Sequence, residues 1–178
     1  MRSDMVHYAA GILPITRGRD GTPLFLIGKD IRDQSWSDFG GKCERVDKGE
    51  PLVTAIREFF EETYGCLVDA RTLRQRLHPG NCLCLKSRTQ NNHEYFMYVV
   101  EMPYLPHLRN AFLKTLNFLR SKQIHRMYVE KTDVQYVTWD AMIAPSLLKR
   151  GVFKNTIDQH AATLEKLANG VDLAALCA

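Results

Sequence analysis

The chain has 178 residues, 45% of them apolar and 25% charged, with a net charge of +4. That length and apolar content can bury a core without disulfide or metal staples, which excludes a disordered chain. No run approaches the ~20 apolar residues of a membrane span. The short apolar run over 9–15 is broken by Gly11 and Pro14, so neither a signal peptide nor a membrane partner is expected.

In chain order, residues 6–17 read as a first strand, with Gly18 and residues 19–21 as turn material. Residues 23–29 form a second apolar strand. A polar loop over 30–38 carries Trp36 into Phe39-Gly40-Gly41-Lys42. Residues 50–64 have helical periodicity and stop near Gly65. Residues 81–87 and 93–103 read as strands around a turn at 89–92, and 107–122 as a helix. Residues 134–139 alternate as a strand does, and 155–169 read as a second long helix. There is no internal repeat and no low-complexity linker. The expectation is one mixed α/β domain over residues 1–178, built in packed layers.

Five cysteines, at 43, 66, 82, 84 and 177, show no CxxC pair. Reduced thiols and a cytoplasmic location are expected rather than a disulfide framework or zinc site. The six histidines are scattered and make no metal motif. Residues 71–126 hold ten Lys/Arg against Glu94 and Glu101, a local net of +8. Such a stretch is either a solvated surface or a basic wall facing phosphates.

The chemistry concentrates in Gly40-Gly41-Lys42 and Arg57-Glu58-Phe59-Phe60-Glu61-Glu62. On a helical wheel, Leu52, Ile56, Phe59, Phe60 and Thr63 gather on one side and Glu58, Glu61 and Glu62 on the other. Three neighbouring carboxylates repel one another unless a cation sits among them, and hard cations such as Mg²⁺ prefer oxygen ligands. The glycines allow close approach of backbone to an ion or phosphate. Lys42 is a candidate phosphate contact. Trp36 and Trp139 are candidates for stacking on a base, with core or rim packing as the alternative. Glu50 and Arg57 lie seven residues apart and could brace the loop onto the helix.

These residues resemble the Nudix box, G-x5-E-x7-R-E-U-x-E-E-x-G-U, where U is a bulky apolar residue. The setting is similar too: Ala9-Ala10-Gly11 in an early strand, a second apolar strand, then Trp36 and Phe39 before the glycines. The chain departs from the pattern in two places. Gly41 to Arg57 is two residues longer, and two residues, not one, separate Glu62 from Gly65. Asp47 falls at the upstream acidic position, and Glu44 and Glu50 are the other candidates for its role.

The resemblance implies a Nudix-type α/β/α sandwich with a mixed β-sheet, the box at about 40–65 and helical additions at 107–122 and 155–169. It implies hydrolysis of a diphosphate linkage in a nucleoside diphosphate linked to X, dependent on Mg²⁺ or Mn²⁺. The metals would be held by Gly41, Glu58, Glu61 and Glu62, and would neutralise the diphosphate and activate a water. A further acid from a loop outside the box is expected at Glu130 or Asp133, with Glu130 preferred. Glu61, Glu62 and Glu130 are thus the expected catalytic carboxylates, and Lys42 and Trp36 the expected substrate contacts. The substrate is a nucleotide or dinucleotide. Capped RNA is the alternative that the basic stretch favours, and a non-catalytic nucleotide-binding module is a further alternative. The oligomeric state is not encoded in these motifs.

Overall fold

A computed structural model describes residues 7–122 and 129–177. Val6 at the head of the expected first strand, Tyr128 at the head of the expected loop, and residues 123–126 of the basic stretch lie outside them.

Tyr8–Arg17 forms β1, buried at every position but Arg17. A strand covered on both faces is largely apolar throughout rather than alternating. β1 is central. It runs antiparallel to β2 (Pro23–Asp30) and β4 (Phe39–Lys42), and parallel to β6 (Glu94–Glu101) from Tyr8 opposite Glu94 to Ile15 opposite Glu101. β5 (Cys82–Arg88) closes one edge on β6. β3 (Trp36–Ser37) and β7 (Lys131–Val137) pair with β2. The seven strands make one mixed sheet.

Alternation along β1 sorts the core into two layers. Ala10 and Ile12 point to one face, under α1 (Pro51–Thr63), α2 (Ala70–Arg76) and α3 (Leu108–Ser121), against Phe59, Leu73 and Phe112. Ala9, Leu13 and Ile15 point to the other face. There α4 (Trp139–Ile143), α5 (Gly151–Gln159), α6 (Ala161–Ala168) and α7 (Leu173–Leu176) contribute Met142, Phe153, Ile157, Leu164 and Leu173. The result is the α/β/α sandwich that the sequence implied. No helix of the described residues is long and apolar enough to cross a membrane, and no disulfide joins the cysteines.

Several elements differ from expectation. The helix expected over 155–169 is two helices broken at His160, which leaves helical geometry (φ −116°, ψ 21°). Its Nε2 lies 2.8 Å from the Lys86 carbonyl, tying the break to β5. The loop over 30–38 contains β3. α2 was not anticipated, although Asp69 caps it by accepting from Thr72 N–H at 2.9 Å. The last strand starts earlier than expected, at Lys131, and ends at Val137; Trp139 instead opens α4 behind the Thr138 cap. This shift places Asp133 inside a strand and Glu130 immediately before it.

Candidate active site

The chain enters α1 through a 3-10 turn at Arg45–Asp47, then Lys48 (φ 53°) and Gly49 (φ 78°), both left-handed. Pro51 at the first helical position suits its fixed φ and missing N–H. This turn absorbs the extra length of the box and points Asp47 inward, where it is 1% exposed. Arg57 Nε and Nη2 donate to Asp47 Oδ1 and Oδ2 at 3.0 and 2.9 Å. Thr54 Oγ1 and Glu44 N–H complete the carboxylate, each at 2.8 Å. Burial opposes the Asp47 charge, but Arg57 and these donors together hold its carboxyl below the ordinary range. Of the three upstream acids, Asp47 therefore braces Arg57. Glu44 approaches it only to 3.9 Å, and Glu50 is the α1 N-cap without a capping side-chain bond.

Arg57 Nη1 also donates to Glu58 Oε1 at 2.9 Å and Glu61 Oε2 at 3.2 Å. The wheel put the acids opposite the apolar stripe. Instead Glu58 and Glu62 are buried with Phe59, and only Glu61 faces out, its side chain 56% exposed. The border position is tolerable because β4 and β7 partner the buried acids. Gly41 packs so closely on Glu58 that a Cβ there would lie 2.5 Å from Oε1. Gly40 N–H donates to Glu62 Oε2 at 2.7 Å. Glu62 Oε1 accepts no hydrogen bond and faces the Lys131 ammonium at 3.4 Å. Burial pushes Glu58 up to about 7, against Arg57; it pushes Glu62 up to about 8, against Lys131.

Glu58, Glu61, Glu62 and Glu130 line one cleft of about 330 Å³, together with Phe60 and Tyr64. Glu130 is held near it by Ile31 N–H, which donates to its carbonyl at 2.9 Å, and by Arg32 at 3.3 Å from its carboxylate. Asp133 is elsewhere: both oxygens accept from Arg109 of α3 at 2.8 Å. Lys131 was not among the site residues expected from the sequence. It sits at a register shift in the β2–β7 pairing, where Asp133 lies opposite Lys29 but Lys131 opposite Asp30.

Lys42 does not join the carboxylates. It lines a second cleft, of about 350 Å³, with Asp38, Tyr95, Gln90 and Arg150. Here Tyr95 OH donates to the buried Asp38 at 2.5 Å, and Arg150 Nη1 to the Gly40 carbonyl at 3.4 Å. Burial raises the Asp38 carboxyl, against Tyr95. The Tyr95 hydroxyl fits only because its neighbours are glycines: a Cβ on Gly11 would lie 2.5 Å from it and one on Gly40 2.9 Å. Trp36 is also apart from the acids. It packs partly buried on the α4–α7 side, under Lys29 Nζ at 5.9 Å from its ring centre.

The cleft's donors are hard oxygens of the type Mg²⁺ and Mn²⁺ prefer. In their present rotamers no three acidic, His or Cys side chains among the described residues converge on one point. The exposed Glu61 has room to turn, and Arg57 must serve Asp47 as well as Glu58 and Glu61. The cleft thus keeps a surplus of negative charge, and its donor chemistry fits a divalent cation.

No family model matches the chain, and no curated protein matches it. Solved structures do. A Caenorhabditis elegans Ap4A hydrolase is similar over 90% of this chain and 99% of its own, at 13% identity and TM-score 0.54. The NUDIX domain of Shewanella oneidensis NrtR, solved with ADP ribose, is similar over 90% and 87%, at 14% identity and TM-score 0.52. The C-terminal domain of mouse MUTYH, solved with human PCNA, is similar over 89% and 90%, at 11% identity and TM-score 0.53. At such identities the likeness defines an architecture. The chain has the Nudix fold.

Proposed function

We propose that this chain hydrolyses a diphosphate linkage in a nucleoside diphosphate linked to X, with Mg²⁺ or Mn²⁺ as cofactor. The observation that carries the reading is the meeting of Glu58, Glu61, Glu62 and Glu130 at one cleft beside the double glycine. Glu58 and Glu61, from adjacent turns of α1, would hold the ion with Glu130 across the cleft. When bound, the ion would offset charge on the diphosphate and favour ionisation of the attacking water. Glu130 would take that water's proton. Arg57, anchored by Asp47, fixes the rotamers of Glu58 and Glu61 between turnovers. Glu62 ties α1 to the glycine strand through Gly40 N–H. The second cleft, reached past Gly41, would receive the rest of the nucleotide, with Lys42 and Arg150 facing its phosphates or sugar.

The geometry favours a small nucleotide over an RNA end. Several basic residues of the 71–122 stretch already have partners: Arg76 on the Glu101 carbonyl, Lys86 on the Phe96 ring, Arg88 on Asn92 and Arg109 on Asp133. They lie on three separate elements, α2, β5 and α3. The test is a hydrolysis panel with each metal, products identified by mass, including a dinucleoside polyphosphate, ADP-ribose, nucleoside triphosphates and capped RNA. Two of these follow the names of similar structures. Binding without turnover across the panel would instead favour the nucleotide-binding module, a reading that Arg57 and Lys131 among the carboxylates also suits.

A further inference from the structure

Lys131 is the one Lys or Arg among the described residues that is buried, at 0% exposure. A slot is built for it. Its stem crosses Gly28, where a Cβ would lie 3.1 and 3.2 Å from Lys131 Cδ and Cε. Nζ donates to Ser37 Oγ at 2.7 Å, and Ser37 Oγ donates in turn to the Asp38 carbonyl at 2.7 Å. Beyond Ser37 lies Glu62 Oε1, at 3.4 Å from Nζ. The sheet contributes the floor from β2, a hydroxyl from β3 and the ammonium from β7, all aimed at one α1 carboxylate.

A buried ammonium needs a compensating partner, and the carboxyl that faces it is that of Glu62, 2% exposed. A divalent ion bound to Glu62 Oε1 at the usual ~2.1 Å would sit within about 5.5 Å of Nζ. With little water between them, the repulsion between the two cations is weakly screened. The other oxygen of Glu62 is occupied by Gly40 N–H. Glu58, Glu61 and Glu130 have no buried ammonium against them, and they open to the cleft.

We propose that the Lys131 ammonium is a built-in cation that holds Glu62 out of metal coordination, so that the cleft takes a single divalent ion between Glu58, Glu61 and Glu130. This rests on the metal-dependent reading above and departs from the ligand set that the resemblance implies: Glu62 becomes a positioning residue.

The test counts Mn²⁺ bound per chain by equilibrium dialysis of the whole protein without substrate, with melting curves confirming that each variant is folded. Wild type is expected to bind one ion. Lys131→Met, which frees Glu62, should bind two, and Mn²⁺ should raise its melting temperature more than that of wild type. The double variant Lys131→Met/Glu62→Gln removes both buried charges and should return to one ion. Its Kd should lie within about twofold of wild type, as for groups outside the coordination shell. Glu58→Gln should weaken binding by about tenfold or more. Two ions on wild type, one ion on Lys131→Met, or loss of the ion from the double variant would each overturn the inference while leaving metal binding intact. No ion on any variant would overturn the metal reading, and the inference with it.

Discussion

Arg57 grips Asp47 with two parallel hydrogen bonds, from Nε and Nη2 to the two carboxylate oxygens. That fork joins the 3-10 turn to the middle of α1 and leaves Nη1 for Glu58 and Glu61. Because Asp47 is almost fully buried, breaking the pair leaves Arg57 short of its main partner. Asp47→Asn should cost ~3 kcal/mol, the scale for a broken buried pair. Urea unfolding would show it as a lower midpoint at unchanged slope, and a loss below ~1 kcal/mol, the range of an exposed pair, would show the fork to be incidental.

Glu58→Gln and Glu61→Gln should each lower kcat by orders of magnitude while circular dichroism stays that of wild type, since size is kept and donor charge removed. Glu130→Gln should lower kcat by roughly 10²–10⁴-fold with little change in KM, the scale of general-base catalysis. Asp133→Asn should leave kcat unchanged, because Arg109 occupies that carboxylate away from the cleft. If the effects of Glu130→Gln and Asp133→Asn are reversed, Glu130 is not the base.

The buried acids set a pH dependence. Burial raises Glu58 to about 7 and Glu62 to about 8, from 4.5. Between those values the folded chain binds more protons than the unfolded one, so this stabilisation is full at low pH and lost as pH rises through 7 and 8. The melting temperature of metal-free protein should fall between about pH 4.5 and about pH 8. Saturating Mn²⁺ should flatten the fall, since it favours the ionised carboxylates. A metal-free melting temperature that climbs over the same interval would contradict the burial of these groups.

Gly28→Ala tests the lysine slot from its floor. The new Cβ would lie 2.9 Å from Phe39 Cε1 as well as against the Lys131 stem. Overpacking of this kind costs roughly 1–3 kcal/mol. Thermal unfolding should show a clear loss, and a melting curve like wild type would mean that the slot has room to spare.

Salt separates the substrate classes. Binding of a small nucleotide should depend weakly on ionic strength. Single-stranded RNA, if it bound along the basic residues, would show a slope of about −0.7 per phosphate contacted. Parallel titrations on Glu58→Gln protein should give similar shallow slopes for nucleotide and RNA. A markedly steeper slope for RNA would revive the capped-RNA substrate.

Much of the fold was legible because its signals are local. The largely apolar stretch of β1 and the helical periodicity of α1 each show within a few neighbouring residues. The His160 break was not legible, since it is settled by a contact to Lys86 from a distant strand. The site divides in the same way. Glu58, Glu61 and Glu62 share one helix and could be grouped from spacing alone. Glu130 could be named only by analogy with the family, and the structure places it at the cleft while removing Asp133. Asp47 was one of three candidates, and the left-handed pair Lys48 and Gly49 decides it by aiming the turn inward. Lys131 gave no signal, because a lysine beside a glutamate reads as surface until strand register buries it.

The parallel pairing of β1 with β6 also bears on how the chain acquires its shape. β2 and β4 can reach β1 from within its next few dozen residues, but its opposite edge must wait for Glu94–Glu101. Closing so long a loop costs entropy before any ladder bond forms, and pairings of this kind slow folding. Until then the apolar edge of β1 is open to strands of other chains. The nascent protein is therefore most vulnerable to aggregation before β6 has emerged from the ribosome, with residues 40–65 already synthesised and the carboxylate helix α1 still lacking β5 and β6 of the sheet beneath it.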